Sequence, residues 1–207
     1  MATPSQSVGL KKLIAKLDSP EKVQHWLRTL EYNKHETMRT LPEVVRQHRA
    51  HCLEAAMAAA AILGHHGYPP IILDMESADL LDHTLFVYRR RGRWGSVGKS
   101  RDVGLDGRKP VFKTIRALVM SYAAPYIDER ACITQYGLLD LRTLSDQRWS
   151  SSYRNVWYVE EALRHVPHSQ LHLMNTFVTK WRQKYLTYKK HHPGMQPDYF
   201  PAQGSWL

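Results

Sequence analysis

Apolar residues recur along the chain at two periods, and the changes of period mark out its elements. Ser19, Pro20 and Glu21 form a helix start, with a capping hydroxyl, a proline at the first helical position and an acid in the first turn. Val23, Trp26, Leu27 and Leu30 follow at helical spacing, and Leu41, Val44, Val45 and His48 repeat the pattern over a shorter span. The segment HRAHCLEAAMAAAAILGHHG then runs almost uncharged from Leu53 to Leu63, which predicts a helix buried over most of its surface, closing at His65, His66 and Gly67. Short apolar runs rich in β-branched residues replace the helical period after it, predicting strands over 70–75, 83–89 and 93–100, with RRRG as the hairpin turn between the last two.

After Pro110 the helical period returns in Val111, Ile115, Leu118, Val119 and Tyr122, ending before Pro125. Two more helices are predicted near Val156 to Arg164 and from His168 to Lys189, the second amphipathic and basic. Residues 191–207 hold three prolines and no period, and predict an extended tail. Helices, then a helix feeding an antiparallel sheet, then helices again argue for an α+β fold.

Composition narrows the picture. The 207 residues contain no internal repeat and no dividing linker, so a single domain over 1–207 is expected, and 43% hydrophobic residues suffice for a core. Nothing reaches the roughly 18 consecutive apolar residues of a membrane span, and the N-terminus lacks a secretory signal, so a cytoplasmic protein without membrane association is expected. The net charge of +10 permits an anionic partner. Cys52 and Cys132 stand in unlike contexts and read as individual thiols.

The chemistry concentrates at Cys52 and His83. Cys52 stands at the start of the alanine-rich helix, where partial positive charge and free N–H groups favour a thiolate and hold an oxyanion. His83 opens a strand, from which an imidazole serves as base and then acid. The competing reading is one continuous helix from Pro42 to Leu63, in which Cys52 is a small buried hydrophobe.

Three segments, RAHCLEAA (Arg49 to Ala56), DHTLFV (Asp82 to Val87) and GRWGSVGKS (Gly92 to Ser100), together resemble the transglutaminase-like cysteine-enzyme superfamily, and more narrowly its small bacterial members. The resemblance covers about residues 40–125, leaving 126–190 as a helical extension and 191–207 as the tail. It implies a papain-like α+β core, Cys52 as nucleophile, His83 as its partner and a break in the chain just before Cys52. The family's third residue is usually an aspartate four positions beyond a tryptophan; from Trp94 that register lands on Gly98. Strand alternation puts Ser100 and Asp102 on the face of Gly98. Ser100, closer and inside the matching motif, is favoured as the third residue, and Asp102 offers the charge.

Other constellations are weaker. His48, His51, Cys52, His65 and His66 match no standard zinc spacing, so no metal is expected, and no nucleotide-binding motif or cofactor is implied. Asp82 reads as a turn cap and Glu54 as a partner for an arginine such as Arg49. Cys132 reads as structural. Arg89, Arg90, Arg91 and Arg93 form a solvated hairpin tip or a phosphate-binding patch. Phe177, Trp181, Tyr185 and Tyr188 read as a packed face beside a solvated basic one. The sequence therefore predicts a cysteine-dependent acyl-transfer enzyme acting on a peptide or protein amide. The alternative is a non-catalytic basic module binding nucleic acid or an acidic peptide.

Overall fold

The structure, a computed structural model, describes residues 4–200 and 203–207, with the side chains of 4–7 left out. Helix α1 (Pro4–Lys16) leads into α2 (Pro20–Thr29), which Ser19 caps by accepting from the Lys22 amide and which buries Val23, Gln24 and Leu27. A two-residue strand β1 (Glu31–Tyr32) pairs in parallel with β2 (Arg49–Ala50). Between them lies α3 (Leu41–Gln47), ended by His48 in the left-handed conformation at φ 51°. That turn and β2 rule out the continuous helix: α4 (Cys52–Gly64) starts afresh, with Cys52 as its first residue.

Every residue of α4 from Leu53 to Leu63 is buried. Alanines let the helix approach the sheet closely on one side and α2 and α3 on the other. The sheet begins with β3 (Ile71–Ser77), β4 (His83–Arg90) and β5 (Arg93–Val97), close to the predicted strands. Arg91 and Gly92, both at positive φ, make the two-residue turn of the β4–β5 hairpin.

Beyond β5 the chain departs from its local pattern. Residues from Arg108 to Phe112 form an edge strand, β6, so Val111 is an exposed strand residue. The predicted helix divides into α5 (Ile115–Met120) and α6 (Ala123–Tyr126), with Pro125 inside the latter. Strand β7 (Ile133–Asp140) was not predicted; its polar residues are half-buried between two neighbouring strands, which erases simple alternation. Helix α7 (Tyr158–His165) matches its prediction, but His168–Gln170 is a strand, β8, and the last helix, α8, spans Asn175–His191. The six strands run in the order β6-β5-β4-β3-β7-β8, all neighbours antiparallel.

Both faces of the central strands are covered. Ile72, Phe86 and Tyr88 pack with α4, whereas Leu73, Met75, Leu85 and Val87 pack with Leu118, Val119, Tyr122 and Tyr126 of α5 and α6. Double coverage makes β3 and β4 read as continuous apolar runs. The tail is docked: Trp206 bridges to Arg108, the Leu207 amide donates to the Gly107 carbonyl at 3.1 Å, and Phe200 is buried. Trp181 of α8 packs on Tyr199 and Phe200 with ring centroids 6.2 Å apart, so the aromatic positions of α8 face the tail and stay only half-buried. Among the described residues, no helix is long and apolar enough to cross a membrane.

The start of α4 is held by Glu54. Its carboxylate, fully buried, accepts from Asn33 Nδ2 at 2.9 Å, Thr37 Oγ1 at 2.7 Å, the Arg39 amide at 2.9 Å and the His51 amide at 3.2 Å. It does not pair with Arg49, which meets Glu31 instead at 3.4 Å. Glu54→Ala is expected to cost roughly 3 kcal/mol or more, because it strands several buried donors at once. Urea unfolding checks this, and a loss under about 1 kcal/mol would contradict the network.

Candidate active site

The thiol lies where three local decisions of the backbone meet. The left-handed His48 stops α3, the β1–β2 pair carries the chain past Tyr32, and Glu54 fixes the His51 amide so that α4 begins at Cys52. Cys52 is half-buried at that N-terminus, beside amides without intrahelical partners.

Two histidines flank it, each with one ring nitrogen anchored by a carbonyl. His83, buried at the start of β4, has Nε2 2.8 Å from the Leu105 carbonyl oxygen. His51, the N-cap residue, has Nε2 2.7 Å from the Thr37 carbonyl oxygen. A carbonyl only accepts, so both Nε2 atoms carry hydrogen, and the other edge of each ring turns toward the start of α4. Both imidazoles hydrogen-bond the Cys52 side chain. Burial pushes the thiol up, but hydrogen bonds from His51 and His83, with their positive charge, override it and hold Cys52 well below the usual thiol range. Burial alone would lower the two histidines; the bond to Cys52 instead raises His83 and takes His51 up to about 9. Each shift favours the thiolate–imidazolium form of the pair over the neutral one.

Around them lies a cleft of about 220 Å³ lined by Tyr32, Tyr126, Leu105 and Ser100 and by four carboxylates, Asp79, Asp82, Asp102 and Asp128. This acidic lining contrasts with the +10 charge of the whole chain. Burial and the charge of Glu76 push Asp82 up to about 6, while it accepts from the Ser77 backbone across the β3–β4 loop, as a turn cap does. Burial, reinforced by the Cys52 charge, takes Tyr32 up to about 12, and its phenol oxygen lies at the Cys52 backbone.

Neither residue expected as the third partner meets His83. Ser100 lines the cleft, but its hydroxyl accepts from the Asp102 amide at 3.0 Å; Asp102 contacts Arg101 at 3.3 Å and Gln196 at 3.4 Å. Neither bonds His83, whose far nitrogen the Leu105 carbonyl takes. Alternation fails here because β5 ends at Val97. Gly98 is gripped by Gln24, which donates to its carbonyl at 2.8 Å and accepts from its amide at 3.0 Å. A Cβ at Gly98 would stand 2.3 Å from Leu85 Cδ2, so an acid there would require the Leu85 side chain to move.

The sequence reading weighed His51 only as a metal ligand and did not single out Tyr32. The signal for His51 was its place immediately before Cys52, at the N-cap; Tyr32 and the Leu105 carbonyl have none, being brought in by folding. The histidines considered for zinc do not converge: the length of α4 separates His65 and His66 from His51, and His66 bonds the Ile14 carbonyl at 2.9 Å. Among the described residues, one cluster has metal-ligand spacing, namely Asp74, Glu76 and His168. The arginine hairpin lies at the opposite end of β4 from His83, roughly 20 Å away at strand rise, with Arg90 paired to Glu21.

No protein-family model matches the chain, and no curated protein matches it in sequence. Among solved structures it is similar to EGTA-treated LapG of Legionella pneumophila, at 13% identity and a TM-score of 0.40, over 70% of this chain and 82% of that one. A likeness this distant assigns neither family nor activity.

The lowered thiol makes a direct prediction. Alkylation of Cys52 by iodoacetamide, followed by peptide mass spectrometry, is expected to stay fast well below the roughly 8.5 of an ordinary thiol. A thiolate held by imidazolium is lost as the pair protonates at low pH, and either His83→Ala or His51→Ala moves the inflection upward. A wild-type inflection near 8.5, unmoved in both variants, would show that no such pair exists.

Proposed function

We propose that the protein is a cysteine-dependent acyl-transfer enzyme that cleaves an amide bond through a thioester at Cys52. The observation that carries the reading is a thiol at a helix N-terminus between two imidazoles of fixed tautomer, open to a cleft. The resemblance of residues 49–56, 82–87 and 92–100 to transglutaminase-like cysteine enzymes supports it independently.

In this reading the Cys52 thiolate attacks the substrate carbonyl carbon, and the oxygen takes up the negative charge beside the Cys52 amide. The carbon–nitrogen bond then breaks as His83 Nδ1 passes its proton to the departing amine, leaving a thioester. Neutral His83 next takes a proton from water, the hydroxide attacks, and Cys52 leaves as thiolate, which restores the starting charges. The Leu105 carbonyl keeps Nε2 protonated throughout, the orienting role that a carboxylate fills in other triads. His51 holds the thiolate charge from the other side. Hydrolysis makes the enzyme a peptidase or amidase; an amine in place of water makes it a transferase.

The test uses a mixed peptide library, with new termini and amine-linked products read by mass spectrometry. Cys52→Ala is expected to abolish both products, and His83→Ala to slow turnover by roughly 10²–10⁴-fold. Turnover by Cys52→Ala equal to wild type would refute the reading.

A further inference from the structure

Asp74 and Glu76 lie two residues apart on β3 and so share a face of the sheet. His168 on β8 reaches the same place across the intervening strand, because the residue between them is Gly137, paired with Asp74 on one side and His168 on the other. A Cβ at Gly137 would stand 2.9 Å from His168 Nε2 and 2.7 Å from Val166, so a larger residue would force the imidazole to shift. Nε2 ends 3.2 Å from Asp74 Oδ2 and 3.3 Å from Glu76 Oε1, and the three ligand atoms all fall within 4.8 Å of one another. Metal bonds of about 2.0 Å in tetrahedral array put ligand atoms about 3.3 Å apart, so two of the three edges are already near that spacing.

A fourth group lies on the same face beside Asp74. Thr84 stands directly opposite Asp74 in the β3–β4 ladder, hence on the same face, and is only 4% exposed. Its Oγ1 is buried with no hydrogen-bond partner, a cost that an ion or its bound water would remove. Outside the cluster, Gln135 donates to the second oxygen of Glu76 and accepts from Gln170 at 2.6 Å, which fixes the carboxylate as an outer shell does. Asp74 is 4% exposed and the His168 side chain 8%, so one carboxylate sits largely out of water against the imidazole, with the half-buried Glu76 beside them.

We propose that Asp74, Glu76 and His168, completed by the Thr84 side, bind a divalent first-row transition-metal ion, with Zn²⁺ the best fit. The imidazole ligand and small coordination shell select such an ion over Ca²⁺ or Mg²⁺, which take oxygen ligands in larger or octahedral shells. Two carboxylates with a neutral imidazole match its charge. The bound ion ties the central strand β3 to the edge strand β8. The site is independent of the thiol chemistry, and either stands if the other fails.

The test is made on the full chain carrying Cys52→Ala, which removes the competing thiol, after stripping with EDTA. Titration with ZnCl₂ in a calorimeter is expected to show one equivalent bound, with a melting temperature that rises with Zn²⁺ concentration. The near-isosteric Glu76→Gln, and separately His168→Gln, should weaken binding by more than the roughly 10–100-fold that outer-shell changes cost. Thr84→Val, which keeps shape and removes only the hydroxyl, should weaken it less and keeps the test open if a ligand variant fails to fold. No stoichiometric Zn²⁺ binding, binding unchanged by Glu76→Gln, or an equal response to Ca²⁺ would overturn the proposal.

Discussion

A buried carboxylate with four donors, Glu54, sets the geometry on which the site depends. An ionised carboxylate out of water is tolerated only when hydrogen bonds replace its hydration. The groups that supply them come from the loop at residues 33–39 and from the residue before Cys52. Satisfying Glu54 therefore brings Thr37 and its carbonyl against the start of α4. The same carbonyl anchors His51, so the arrangement that stabilises the helix start also fixes the tautomer of an imidazole beside the thiol.

Backbone carbonyls carry more of this site than charged side chains do. Thr37 and Leu105 each hold one Nε2, and neither position demands a particular side chain for that purpose. Asp106 stands near enough to favour the charged form of His83 without bonding it. Cys52 thus lies between two imidazoles at a helix terminus, in a cleft whose remaining ionisable lining is mostly acidic. That lining is opposite in sign to the net charge of the chain, whose excess of cations therefore lies elsewhere on its surface.

The sheet explains how such groups are held rigidly. Strands β3 and β4 are packed on both faces, so His83, Asp74 and Thr84 project from backbone with little freedom to shift. Their neighbours at Gly95, Gly98 and Gly137 are glycines because side chains or backbone cross where a Cβ would sit. The docked tail closes the other edge: Arg108, fully buried, donates to the Asp106 carbonyl at 2.9 Å and lies 3.9 Å over the Tyr122 ring, with Trp206 beside it.

Local signals determined the parts of this protein that short-range physics controls. Ser19 with Pro20, the alanine run and the Arg91–Gly92 turn declare themselves because caps, helix propensity and hairpin turns involve residues close in sequence. Cys52 and His83 were legible as candidates for the same reason, each at the start of a strongly patterned element. Strands β6, β7 and β8 were not, since their ladders are completed by partners far along the chain, and pairing across a sheet outweighs weak local preference. Nor could the sequence show that Leu85 crowds position 98, that the Leu105 carbonyl holds His83, or that Asp74 meets His168 through Gly137. Those facts are distances between residues that only folding brings together, and they decide which side chains find partners.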